Sequence, residues 1–188
     1  KNLAQKQLTL EEVNELYEML TPEIKNTEAA KGILQNIEAQ KKMEERNKST
    51  EVGAKAPLFS GPTPTGEQLA LNDVMGKLTL IDFWAAWCRP CRAENPNIVA
   101  TYKKYHVKGL NVIGVSLDRK AEDWKKAIAD DGLTWNHISN VAYFNDPIAQ
   151  LYNIQAIPAA FLLDENGVIV AKNLRGPALE QKVAELLN

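Results

Sequence analysis

Leu78-Thr79-Leu80-Ile81-Asp82-Phe83-Trp84-Ala85-Ala86-Trp87-Cys88-Arg89-Pro90-Cys91 decides the reading of this chain, because an apolar run of strand length leads both of its cysteines, two residues apart, into a helical stretch. Thiols at that spacing can close an intramolecular disulfide. At a helix N-terminus, backbone N–H groups and the helix dipole stabilise the thiolate of the first one. A two-residue loop removes little entropy from an unfolded chain, so a disulfide there is a redox switch rather than a staple. Half of a zinc site is the competing reading, and it fails on ligands: zinc takes four, while His106 and His137 lie downstream without finger-like spacing.

The order of events at such a pair follows from position. Cys88, at the helix start, is the nucleophile: its thiolate attacks a substrate disulfide to give a mixed disulfide. Cys91 then attacks Cys88, releasing reduced substrate and leaving the pair oxidised. Arg89 adds positive charge beside the thiolate, and Pro90 fits the first helical turn without losing a needed hydrogen bond. Cys91 must lose a proton to act, and two carboxylates are candidate partners. Asp82 sits inside the apolar strand, where a charge is costly unless its pKa rises. Glu94 follows Cys91 by three residues on the same helical face. Which of the two serves Cys91 is open at this point, and either is also readable as an ordinary strand-end or first-turn acid.

The 188 residues, 45 % of them hydrophobic, allow one good core with a small appendage. A net charge of −2 without a Lys/Arg run excludes the basic field that nucleic-acid binding needs. No stretch approaches the roughly 18 apolar residues of a membrane span. Lys1-Asn2-Leu3 brings neither an initiator Met nor a signal-peptide core, which reads as a chain cut from something longer, its targeting segment removed.

Residues 1–50 read as a helical extension and linker, and 51–188 as the redox domain. Thr9 and Glu12 form a capping box ahead of Leu10, Val13, Leu16, Tyr17 and Leu20 at helical spacing. Thr21-Pro22-Glu23 restarts a helix whose stripe, Ile33, Leu34 and Ile37, fades into the charged run 40–48. Gly- and Pro-bearing segments from Val52 to Gly66 mark the boundary. Beyond it the pattern alternates as in an α/β fold: strand 78–84, helix 89–105 with Pro96 expected to kink it, strand 110–117, helix 122–130. Strands 160–163 and 168–170 follow as an antiparallel hairpin, then a closing helix with Leu179, Val183, Leu186 and Leu187. Trp124 and Trp135 read as core, His137 as a half-buried loop residue, and His106 as a helix-end complement to the dipole.

Phe83 to Cys91, followed by Ile157-Pro158-Ala159-Ala160-Phe161-Leu162-Leu163-Asp164, closely resembles the thioredoxin-like proteins, and within them the TlpA/ResA branch of bacterial envelope thiol–disulfide oxidoreductases. Val52 to Pro57, Leu69 to Asp73 and the insertion from Arg119 to Tyr152 are typical of that branch. The resemblance implies a central mixed sheet flanked by helices and a cis-proline, Pro158, facing the dithiol. It also implies a substrate groove drawing on Trp87, Arg89, Pro90, Ile157 and Pro158. Asp82 matches the buried aspartate of thioredoxin and Glu94 the buried glutamate of the TlpA/ResA branch. The function implied is disulfide exchange with protein substrates, as a reductant fed by an upstream thiol donor, in the periplasm or envelope, with a membrane anchor in the full-length precursor. No cofactor or metal is expected. Two alternatives remain: a copper-binding thiol chaperone using Cys88, Cys91 and His137, and a peroxiredoxin-like peroxidase, whose Pro-x-x-x-Thr-x-x-Cys pattern is absent around Cys88.

Overall fold

The computed structural model describes residues 8–187, so the extreme ends of both expected domains lie outside the described residues. Thr9 Oγ1 accepts the Glu12 N–H and the Glu12 carboxylate accepts the Thr9 N–H, the reciprocal pair that opens α1 (Leu10–Glu18). Pro22, at the first helical position, starts α2 (Pro22–Lys25). Ala, Glu, Gln and Lys, all good helix formers, then sustain α3 (Glu28–Ser49) with little to bury. Tyr17, Ala30 and Ile37 form a small core, joined by Leu10, Val13, Leu20 and Leu34. Leu16 and Ile33, expected on the inner stripes, are exposed, since the nine-residue α1 covers only a narrow line of α3. The chain divides into two compact units between Lys48 and Ser49.

In the second unit a hairpin, β1 (Ser60–Pro62) and β2 (Gln68–Ala70), precedes the main sheet. That sheet is built from β3 (Leu78–Trp84), β4 (Leu110–Ser116), β5 (Asn136–Ile138), β6 (Ala159–Asp164) and β7 (Ile169–Lys172), in the order β5-β4-β3-β6-β7. The connecting helices are α4 (Arg89–Tyr105), α5 (Ala121–Asp130), α6 (Pro147–Leu151) and α7 (Pro177–Leu187). β3, β4 and β5 run parallel, while β6 and β7 are antiparallel to their neighbours. The sheet is therefore mixed, and helices flank it. α4 continues through Pro96.

Central β3 is buried at every residue, and the two-residue period sorts its side chains onto two faces. Ile81 and Phe83 enter one core with Leu71, Ile113, Val115, Ile148 and Tyr152. Leu78, Leu80 and Trp84 enter the other, with Ile98 and Tyr105 of α4, Trp124 of α5, and Leu179 and Val183 of α7. Each such large apolar side chain stabilises the fold by roughly 1.5–3 kcal/mol over its exposed state. Asp82 shares the parity of Leu80 and Trp84, so it points to the α4 and α7 face, the face that also contains both cysteines.

His137 departs from expectation. It lies in β5, opposite Gly114 of β4, and is 4 % exposed rather than half-buried in a loop. Trp84 and Trp135 flank its ring at 5.7 and 5.8 Å between centroids. Only glycine fits at position 114, where a Cβ would stand 2.4 Å from His137 Nδ1. Three-residue β5 is too short for its alternation to show in sequence.

Candidate active site

Register places the site. Phe83 pairs with Ala159 across β3 and β6, so the end of β3 that runs on to Cys88 is the end at which β6 begins, just after Pro158. The Ile157–Pro158 bond is cis, as the resemblance implied. From Leu117 and Asp118, just past β4, hydrogen bonds hold the end of β3 and the linking loop. Leu117 N–H donates to Trp84 O at 2.9 Å, the Trp87 indole N–H donates to Leu117 O at 3.3 Å, and the Ala86 N–H is held by Asp118. Asp118 is buried, receives the Ser116 hydroxyl at 2.8 Å, and its carboxyl is shifted upward by that burial.

Cys88 is the N-cap of α4 and Cys91 lies in its first turn; the two are joined as a disulfide with Cα atoms 5.3 Å apart. The Cys91 N–H donates to Cys88 Sγ at 3.2 Å. An N-cap atom that receives a first-turn N–H is where negative charge is stabilised once the bond is reduced. Both cysteines are nearly enclosed, at 3 % and 2 % exposure. Arg89 and Pro90 are exposed on the first turn. Trp84 is core, whereas Trp87 is 45 % exposed. It lies against Tyr143 and Phe144, with ring centroids at 5.3 and 6.3 Å. The Arg119 guanidinium stands 4.0 Å over the Tyr143 ring. Trp87, Arg119, Lys120 and Tyr143 help line an open depression of about 420 Å³ beside the dithiol loop.

The two carboxylates differ in surroundings. Asp82 is 5 % exposed, which removes the strand-end reading. Burial pushes its pKa from 3.8 up to about 7; the nearby Glu94 charge pushes the same way, and Arg175 pulls it down. Glu94 is half-buried and already engaged, its carboxylate accepting the Gly176 N–H at 2.6 Å and the Asn97 amide at 3.2 Å. Asp82 and Glu94 are thus electrostatically coupled, and Ile157 packs partly buried against the core that contains the cysteines. Asp118 and Arg175 escaped the sequence reading. Asp118 follows a strand whose end must meet the loop after β3, a signal that the parallel βαβ unit carries once its register is known. Arg175 had no motif to mark it. Among the described residues no cluster of three or more His, Cys, Asp or Glu could hold a metal ion, and His137 is held between Trp84 and Trp135.

Comparisons with known proteins agree with this geometry. The AhpC/TSA family model matches residues 52–172. The thioredoxin-like protein YneN of Bacillus subtilis is 38 % identical over 119 residues, 62 % of this chain and 68 % of that protein. The thiol-disulfide oxidoreductase ResA of Bacillus thuringiensis is 26 % identical over 151 residues, 76 % of this chain and 80 % of that one. Among solved structures, the C-terminal domain of a putative thiol-disulfide oxidoreductase from Bacteroides thetaiotaomicron superposes with a TM-score of 0.69. It is 37 % identical, and the match covers 74 % of this chain and 97 % of that domain. The family model spans more than half of the chain, and Cys88 is bonded to Cys91 at the start of α4, so the chain belongs to the thioredoxin-like AhpC/TSA family as a thiol–disulfide oxidoreductase.

Proposed function

We propose that the pair reduces disulfides of protein substrates in the cell envelope and is itself restored by an upstream thiol donor. Cys88 thiolate attacks one sulfur of the substrate disulfide, and the other leaves with the electron pair. Asp82 carboxylate takes the Cys91 proton; Cys91 sulfur then attacks Cys88, the Cys88–substrate bond breaks, and the second substrate sulfur departs as thiolate. Trp87, Arg89, Pro90, Ile157 and Pro158 form the docking surface, and residues 51–188 act as the redox domain, preceded in the chain by a helical extension. The envelope address rests on the resemblance to the TlpA/ResA branch. Among the described residues, no helix is long and apolar enough to cross a membrane.

The observation that carries this reading is the buried Asp82, on the sheet face of the cysteines and balanced near pH 7 between base and acid. The first test is the equilibrium reduction potential of Cys88–Cys91 against a thiol buffer, read by alkylation and mass. A reductant has a value near roughly −270 mV or below; one near roughly −120 mV would make the pair an oxidant and overturn the assigned direction.

A further inference from the structure

Arg175 and Gly176, consecutive residues in the turn between β7 and α7, bond the residue just before β6 and the helix that begins after Cys88. The Arg175 guanidinium donates to the carbonyl of Pro158, on the side where a substrate chain would lie. The Gly176 N–H donates to Glu94 Oε1 at 2.6 Å, on the α4 side. Gly176 is left-handed (φ 52°), a backbone state that glycine adopts freely and that turns its N–H toward Glu94. The turn is built by Gly176 and by Asn173, whose left-handed backbone and side-chain oxygen pair with Ala160, and needs no arginine. A long, exposed arginine folded back onto a carbonyl gives up side-chain entropy, so it is a placed group that a charge-assisted bond holds.

We propose that Arg175 is a positioning residue of the redox reaction, its guanidinium linking the Pro158 carbonyl on the substrate side of the disulfide to the Asp82–Glu94 carboxyl pair. This rests on reading Asp82 as the proton acceptor of Cys91. With its carbonyl engaged, the Pro158 peptide unit offers the incoming chain a fixed edge. The charged groups acting on Asp82 are Glu94 from α4, which favours its protonated form, and Arg175 from the β7–α7 turn, which favours the carboxylate. Arg175 thereby offsets Glu94 and keeps Asp82 able to accept the Cys91 proton near neutrality. It acts through Pro158 and Asp82.

The test uses the whole chain with Arg175→Met and Arg175→Lys. Resolution of a Cys88 mixed disulfide is followed by rapid quench from pH 5 to 9, and KM is compared for insulin disulfides and a small aromatic disulfide. In Arg175→Met the apparent pKa of resolution rises by about half a unit, a charge effect already discounted for solvent screening. KM for insulin rises by roughly three- to tenfold while that for the small disulfide holds. Arg175→Lys restores the pH profile, because it keeps the charge, but not the insulin KM, because a flexible ammonium does not reproduce the guanidinium fork. A wild-type profile and wild-type KM ratio in Arg175→Met, or a profile in Arg175→Lys equal to that of Arg175→Met, overturns the proposal. Asp82→Asn separates the two layers. Loss of the pH dependence there, with Arg175→Met unmoved, removes the Arg175 role alone, whereas persistence of the dependence removes the Asp82 reading with it.

Discussion

Asp118 grips the Ala86 amide with both carboxylate oxygens, at 3.1 and 3.0 Å, two residues before Cys88. The bond joins the end of β4 to the loop after β3, and the Ser116 hydroxyl completes the cluster. Asp118→Ala leaves the Ala86 N–H without its acceptor and takes the acceptor from the Ser116 hydroxyl, which keeps only the residue-118 N–H bond, a loss of about 2 kcal/mol. Asp118→Asn keeps one acceptor and loses less. Calorimetry should place the alanine variant several degrees below wild type, with slower attack by Cys88; equal melting temperatures would show the contact to be idle.

Asp82 ties stability to pH. Its pKa in the fold, about 7, lies above its ordinary 3.8, so the folded state favours the protonated form. That contribution is complete below about pH 4 and is lost as pH rises through 7. Asp82→Asn escapes the loss: it should match wild type near pH 4 and exceed it at pH 9, by up to roughly 4 kcal/mol. The same variant should slow resolution of the mixed disulfide at pH 7 by at least about 100-fold, with little effect on its formation. Chemical denaturation at the two pH values and rapid quench separate the two effects, and equal slowing of both steps would contradict the relay.

The sheet was legible because β3, β4 and the β6–β7 hairpin carry their own signals: apolar runs of strand length bounded by Gly, Asn and Asp. The dithiol was legible because Cys88-x-x-Cys91 is contiguous, and Asp82 because an acid inside an apolar strand needs a reason. Contacts that join distant segments were not. Asp118 meets Ala86 across 32 residues and Glu94 meets Gly176 across 82; neither pairing has a local period. His137 was misread for a related reason: the burial of a three-residue edge strand is decided largely by Trp84 and Gly114, which lie far off in the sequence.

His137 gives the fold a sensitivity of opposite sign. Burial drives its pKa from 6.5 down to about 4, so the folded state holds the neutral ring while the unfolded chain takes up a proton below 6.5. Stability is full above that value and falls as pH drops toward 4. His137→Gln, which cannot charge, should flatten the decline in melting temperature between pH 6.5 and 4.5. Unchanged steepness would assign the acid sensitivity to other groups.

Glu94 has two separable jobs, and the isosteric amide divides them. Its Oε1 fixes the Gly176 N–H at the start of α7, and its charge raises the Asp82 pKa. Glu94→Gln keeps an oxygen for Gly176 and removes the charge, so stability should hold within about 1 kcal/mol while the apparent pKa of resolution moves down, the reverse of Arg175→Met. Glu94→Ala removes the acceptor as well and should lose a further 1–2 kcal/mol or so. The pH profile of Glu94→Gln decides which acid serves Cys91. A profile displaced but intact keeps Asp82 as the base with Glu94 tuning it. A flat, slow profile would make Glu94 the base, and the buried aspartate would then be the one that tunes.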